Sequence, residues 1–308
     1  MRAAFSPSGI SSFFEVCTKE KDGTNISNPL KIGSRGGGFA LKKGVTTKIS
    51  IKKKRQNENN VEILINGREA PEAKTTKTII NLLLKNIRKK YDIIVQHTVD
   101  VPVGAGFGTS AAGALSCGLA LSDALNLPLT YNQIAQAAHI ADIECQTGLG
   151  TVEGLTIGGL VLIVESGALG YGLIDRILIR SDLQVVAGVF KSVKKSSILL
   201  SEEKINIINT IAKKTMSNIL KKPDIENFLN NCKSFAFESG LASGRIRKLI
   251  KDVENAGAIG ATQNMIGEAV HAITTKNSLD DVYEAFKKHI SEDKIIISKI
   301  DFKGAKIL

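Results

Sequence analysis

The chain has 308 residues, 43% of them hydrophobic and 23% charged, enough for a sizeable core with an ordinary charged surface. Its net charge of +11 admits a nucleic-acid or an anionic small-molecule partner. The basic residues are dispersed, as in Lys52-Lys53-Lys54-Arg55, Arg88-Lys89-Lys90 and Lys194-Lys195, without an aromatic platform. That pattern favours a solvated surface around an enzyme for anionic substrates and argues against a nucleic-acid binder. No apolar run reaches membrane-span length, and Leu155 to Val164 is broken by Thr156, Gly158 and Gly159. Four scattered cysteines without a Cys-x-x-Cys, and no signal-peptide core after Met1, read as free thiols of a cytoplasmic protein and exclude a cysteine zinc site.

In chain order, Ala3 to Phe14 is predicted as a strand reaching a turn at Ser6-Pro7-Ser8-Gly9, with Phe13 and Phe14 beyond it as pocket candidates. A glycine cluster, Gly33-Ser34-Arg35-Gly36-Gly37-Gly38, follows. An Arg among glycines has little clutter around it and suits bidentate capture of a carboxylate or phosphate, although a surface turn explains it equally. Val45 to Ile51 and Val61 to Ile65 alternate like the strands of a hairpin or meander about an exposed turn at Lys52 to Asn60. Thr75 to Lys90 reads as an amphipathic helix, and Tyr91 to Val99 as a strand.

The stretch Val101-Pro102-Val103-Gly104-Ala105-Gly106-Phe107-Gly108-Thr109-Ser110-Ala111-Ala112 joins that strand to a small-residue helix ending near Leu125. A glycine-rich loop at a helix N-terminus is an anion site, because the first N–H groups lack intrahelical partners and glycine lets the backbone come close. Thr109 and Ser110 are read as caps whose hydroxyls reach phosphate or metal. No Lys follows Gly108, so this is no P-loop, and no strand ending in an acid follows soon enough for a dinucleotide loop.

The next helix, from Tyr131, carries His139, Asp142 and Glu144, then a loop Thr147-Gly148-Leu149-Gly150-Thr151. Asp142 or Glu144 is a magnesium-ligand candidate, against the plainer reading of a solvated helix end. Strands are expected at Leu160 to Val164, Val185 to Phe190, Ala269 to Thr274 and Lys294 to Asp301. Helices are expected at Glu202 to Lys221, Asp224 to Glu238, Ser243 to Glu254 and Leu279 to Ile290. A third glycine loop runs from Gly257 through Gly260, Gln263 and Asn264 to Gly267.

The run Pro102 to Ala112 resembles the phosphate-binding motif of the GHMP kinase superfamily, with Phe107 and Thr109 as conservative departures. Phe5 to Gly9 and the third glycine loop resemble the flanking motifs, so the likeness spans nearly the whole chain. Ser-Gly-Ile-x-x-Phe-Phe, Gly33 to Gly36, Thr147 to Gly150 and Gly260 to Gly267 are similar to the archaeal pantoate kinases. The resemblance implies an α+β, two-domain GHMP kinase fold: a mixed α/β N-terminal domain over 1–174 and a ferredoxin-like C-terminal domain over 175–308, with the active site between them. It implies ATP bound along Pro102, Gly104, Ala105, Gly106, Phe107, Gly108, Thr109, Ser110 and Ala111. Magnesium would lie at Ser110 and Asp142, or Glu144. Pantoate would meet Phe13, Phe14, Ser34, Arg35, Gly36, Gly148, Gly260, Gln263 and Asn264, with Arg35 on its carboxylate. Ser110, Asp142 and Arg35 would carry the chemistry. Gly150 and Thr151 stand where several relatives have a catalytic Asp; Glu153 lies nearby but is not assigned that role. The implied activity is phosphorylation of the primary hydroxyl of pantoate in coenzyme A synthesis, in a cytoplasmic protein compatible with a homodimer. The alternatives are another GHMP kinase, for mevalonate, phosphomevalonate or homoserine, or a non-catalytic nucleotide-binding protein.

Overall fold

A computed structural model describes residues 1–20, 22–54, 58–191, 201–265 and 267–308. Of the features read above, Arg55, Lys194-Lys195 and Ile266 lie outside these residues. Two sheets organise the fold. The first has the order β12-β1-β2-β5-β3-β4, with β6 on β2 and β7 on β6. Its strands are β1 (Arg2–Cys17), β2 (Gly33–Lys54), β3 (Asn60–Ile65), β4 (Arg68–Glu69), β5 (Lys90–Val99), β6 (Leu160–Glu165), β7 (Leu173–Ile177) and β12 (Lys306–Ile307). The second is the antiparallel sheet β11-β8-β10-β9, built from β8 (Gln184–Lys191), β9 (Gly260–Gln263), β10 (Glu268–Thr274) and β11 (Ile295–Lys299).

The helices are α1 (Lys74–Leu84), α2 (Thr109–Leu125), α3 (Tyr131–Glu144), α4 (Thr151–Ile157), α5 (Glu202–Lys221), α6 (Ile225–Glu238), α7 (Gly244–Asn255) and α8 (Leu279–Lys287). Residues 111–122 of α2 are all buried. A helix covered on every side needs small residues, and Gly118 shows why: a Cβ there would lie 2.7 Å from Ile79 of α1. α6 touches both β1 and β9 and joins the two sheets. Its Phe228 meets Phe13 and Phe39, and its Phe235 meets Phe13 and Phe14, all edge-on. Each such buried ring stabilises the junction by roughly 1.5–3 kcal/mol.

Four readings of the sequence change. Ser6 to Gly9 is no turn: β1 runs straight through it, and the irregularity is a register shift against β2 between Pro7 and Ser8. Arg35 lies within a 22-residue strand, not a glycine turn. Gly38 makes that pairing feasible, since a Cβ there would sit 1.9 Å from the Ile10 carbonyl oxygen. β2 and β3 are no hairpin, because β5 lies between them, antiparallel to β2 and parallel to β3. Gly260 belongs to a strand; a Cβ on it would lie 2.9 Å from Leu229 Cβ, so helix packing explains the glycine.

Candidate active site

The loop between β5 and α2 turns on three left-handed glycines, Gly104, Gly106 and Gly108, with φ of 77°, 84° and 60°. Side chains are strained there, so the backbone path itself calls for glycine. Ala105 and Phe107 are buried, and their side chains anchor the loop in the core. Gly108, not Thr109 or Ser110, is the helix N-cap, and it has no side-chain cap hydrogen bond. The two hydroxyl residues instead form the first turn of α2, whose leading N–H groups and dipole are presented to an anion.

Two cavities adjoin this loop. One is lined by Val103, Thr109 and Ser110 together with Thr75, Cys145 and Thr147. The other is lined by Ser11, Phe13, Phe14, Ser34, Gly36 and Thr151, among others. The second cleft meets the loop directly. Gly9 N–H donates to Phe107 C=O at 3.0 Å, and a Cβ on Gly108 would lie 2.7 Å from Thr151 Cγ2. Ser34 Oγ donates to Leu149 C=O at 2.5 Å, tying β2 to the loop before α4.

Asp142 is buried near the end of α3 and accepts a 2.7 Å hydrogen bond from Thr147 Oγ1. Thr147 also meets Thr75 Oγ1 at 3.1 Å and lines the cavity with Ser110, so Asp142 is linked to that cavity through one hydroxyl. Gly148 packs on the carboxylate: a Cβ there would lie 1.9 Å from Asp142 Oδ2. Glu144 is exposed. One turn back on α3, His139 lies fully buried, with Nδ1 2.6 Å from Glu153 Oε1 of α4. Its Nε2 lies 3.1 Å from Pro29 C=O and 3.0 Å from Ile32 C=O. Three acceptors around two ring nitrogens call for both to carry protons. Burial opposes the charge on His139, but the hydrogen bond and charge of Glu153, then Pro29 C=O and Asp142, outweigh it and raise its pKa. The pair brings together residues fourteen apart on two helices, a proximity that the sequence alone does not announce.

Arg35 is separated from the cleft that its neighbours Ser34 and Gly36 line. Its guanidinium donates to Glu15 Oε2 at 2.9 Å and to Val164 C=O at 2.7 Å. Register explains this, because Glu15 and Arg35 sit opposite one another on β1 and β2. Phe13 and Phe14 line the cleft but are packed into the core by α6. Gln263 and Asn264 are buried, with Gln263 Nε2 donating to Gly267 C=O at 3.0 Å.

Residues 74–154 match the GHMP kinases N terminal domain. The chain is 29% identical to a pantoate kinase of Methanocaldococcus jannaschii over 93% of this chain and 97% of that one. It is 28% identical to a pantoate kinase of Thermococcus kodakarensis, over 94% and 91%. A solved structure described as a phosphotransferase related to the CoA biosynthesis pathway superposes with a TM-score of 0.85 at 27% identity, covering 100% and 98% of the two chains. The glycine loop, the two-sheet fold and these full-length likenesses make the chain similar to the GHMP kinases, and among them to pantoate kinases.

Proposed function

We propose that the protein transfers the terminal phosphoryl group of ATP to the primary hydroxyl of pantoate. The observation that carries this reading is the loop Gly104–Gly108, which leads into an N-terminus of α2 without a side-chain cap and adjoins the cleft at Gly108–Thr151. Such a loop cradles phosphates, and a cleft touching it places an acceptor hydroxyl beside the transferred group. Nucleotide phosphates lie on Gly104 to Ala111, with the rest of the nucleotide toward the cavity of Thr75 and Thr147. The acceptor lies in the cleft of Ser11, Ser34 and Gly36, with Phe13 and Phe14 forming its apolar wall.

Magnesium suits the buried Asp142 and the Ser110 hydroxyl, both hard oxygen donors, with the remaining ligands from phosphate and water. When bound it neutralises phosphate charge. Among the described residues no three His, Cys, Asp or Glu side chains gather as a cation cage, which fits a metal held mainly by nucleotide. Thr147 and Gly148 hold Asp142 in place. Gly150 and Thr151 offer no carboxylate base at the cleft, so positioning and electrostatics carry the reaction, and a loose transition state lets the hydroxyl lose its proton late. Arg35 serves by pairing Glu15 and fixing the β1–β2 edge. The experiment is an ADP-release assay with pantoate, mevalonate and homoserine in parallel. Turnover with pantoate alone supports the assignment; equal rates with all three would refute it, and nucleotide binding without turnover would favour a non-catalytic role.

A further inference from the structure

Beneath the glycine loop lies a second hydrogen-bonded chain that the kinase reading does not use. Ser12 Oγ is 2.9 Å from His271 Nε2, and His271 Nδ1 is 2.7 Å from Asn264 Oδ1. All three residues have zero exposure. Burial lowers the pKa of His271 to about 3, so the ring is neutral and carries one proton. The amide oxygen of Asn264 can only accept, so that proton sits on Nδ1, and Nε2 accepts from the Ser12 hydroxyl. The amide is thereby oriented with its NH2 group turned away from His271. Among the described residues, Asn264 Nδ2 is buried without a hydrogen-bond partner. A buried donor left unsatisfied is costly, and one held there by two further side chains has a use to be explained.

Its place suggests the use. Asn264 and Gly267 lie against the phosphate loop. A Cβ on Gly106 would be 3.6 Å from Asn264 Cβ, and a Cβ on Gly267 would be 3.6 Å from Ala105 C=O. On the other side, Met265 N–H donates to Ser11 C=O at 3.0 Å, and Ser11 lines the acceptor cleft. Asn264 therefore stands where the phosphate loop and the cleft meet. We infer that the Asn264 side-chain NH2 donates to a terminal phosphoryl oxygen of the bound nucleoside triphosphate, and that Ser12 and His271 are positioning residues that turn the amide's donor end toward it. The inference rests on the kinase reading and adds a phosphate ligand from the second sheet.

The test is calorimetric titration of the whole protein with ADP and with a non-hydrolysable triphosphate analogue. Asn264→Asp keeps the oxygen that accepts from His271 and replaces the donor by a repelling oxygen. It should weaken the triphosphate at least tenfold to hundredfold, the scale of a charge-assisted hydrogen bond, and change ADP affinity less than about threefold. Ser12→Ala frees the ring to adopt the other tautomer and should weaken the triphosphate by about threefold, with ADP again spared. Equal loss for both nucleotides, or none, in Asn264→Asp would overturn the inference. If that variant does not fold, Ser12→Ala decides, and unchanged triphosphate affinity there would overturn it. A wild-type protein that binds neither nucleotide would overturn the kinase reading itself, an outcome distinct from these.

Discussion

Gly148→Ala is the substitution that should reveal most about the acidic end of α3. A Cβ there would lie 1.9 Å from Asp142 Oδ2, 2.8 Å from Cγ and 3.0 Å from Oδ1. Atoms cannot stay that close, and Asp142 is only 1% exposed, so its carboxylate has no open solvent to swing into. The carboxylate must leave its bond with Thr147, at a cost of roughly 1.5–3 kcal/mol for a hydrogen bond to an ionised group. An off-rotamer side chain adds about 1 kcal/mol. The expected destabilisation is therefore about 2.5–4 kcal/mol in urea titration. Turnover should fall by about a hundredfold or more, which corresponds to some 2.7 kcal/mol in the barrier, and the magnesium requirement should rise. Gly244→Ala is the control, because nothing lies within 4 Å of a Cβ at that position. Gly148→Ala with turnover within threefold of wild type and an unchanged unfolding midpoint would refute the placement of Asp142 in the site.

Removing Arg35 should act on stability before it acts on substrate. Arg35→Ala leaves Glu15, 6% exposed, with Lys213 at 3.7 Å, and should cost on the order of 2–3 kcal/mol, most of it regained in Arg35→Ala with Glu15→Gln; a large rise in the pantoate KM at unchanged stability would make Arg35 a substrate ligand after all. Acid should destabilise the fold through two buried neutral histidines: burial lowers His97 to about 4 and His271 to about 3. Their contribution is present above the unfolded-state value near 6.5 and is lost as pH falls through it, at roughly 2 kcal/mol each between pH 7 and 5. His139 has the opposite sign: its raised pKa contributes stability fully present below about pH 6.5 and lost as pH rises through the folded value, offsetting part of the acid loss. Denaturant titrations at pH 5, 7 and 9 should show both arms, with Glu153→Gln flattening the alkaline one; a profile flat between pH 7 and 5 would contradict the buried-histidine argument.

What could be read in the sequence follows from which forces are local. Gly104, Gly106 and Gly108 were legible because a tight loop at a helix start leaves a glycine signature whatever the rest of the fold does. Gly260 bears the same signature for another reason, the approach of Leu229 from α6, and single residues do not separate the two. The partner of Arg35, Glu15, was not legible, because it reaches Arg35 through strand register across an intervening loop of the chain. The alternation of β2 and β3 announced strands but not partners, and β5 enters from later in the sequence. His139, Glu153, Ser12 and His271 were unremarkable as letters; burial and mutual distance give them their roles.

On the proposed function, the phosphoryl group is received by the primary hydroxyl oxygen of pantoate. Incubation of the protein with ATP, magnesium and pantoate, followed by phosphorus NMR and mass spectrometry of the product, tests it directly. The expected result is one phosphate monoester, coupled to the methylene of the primary hydroxyl, formed in equal amount to ADP. ADP formed without a pantoate ester, or an ester formed as readily on mevalonate or homoserine, would contradict the account.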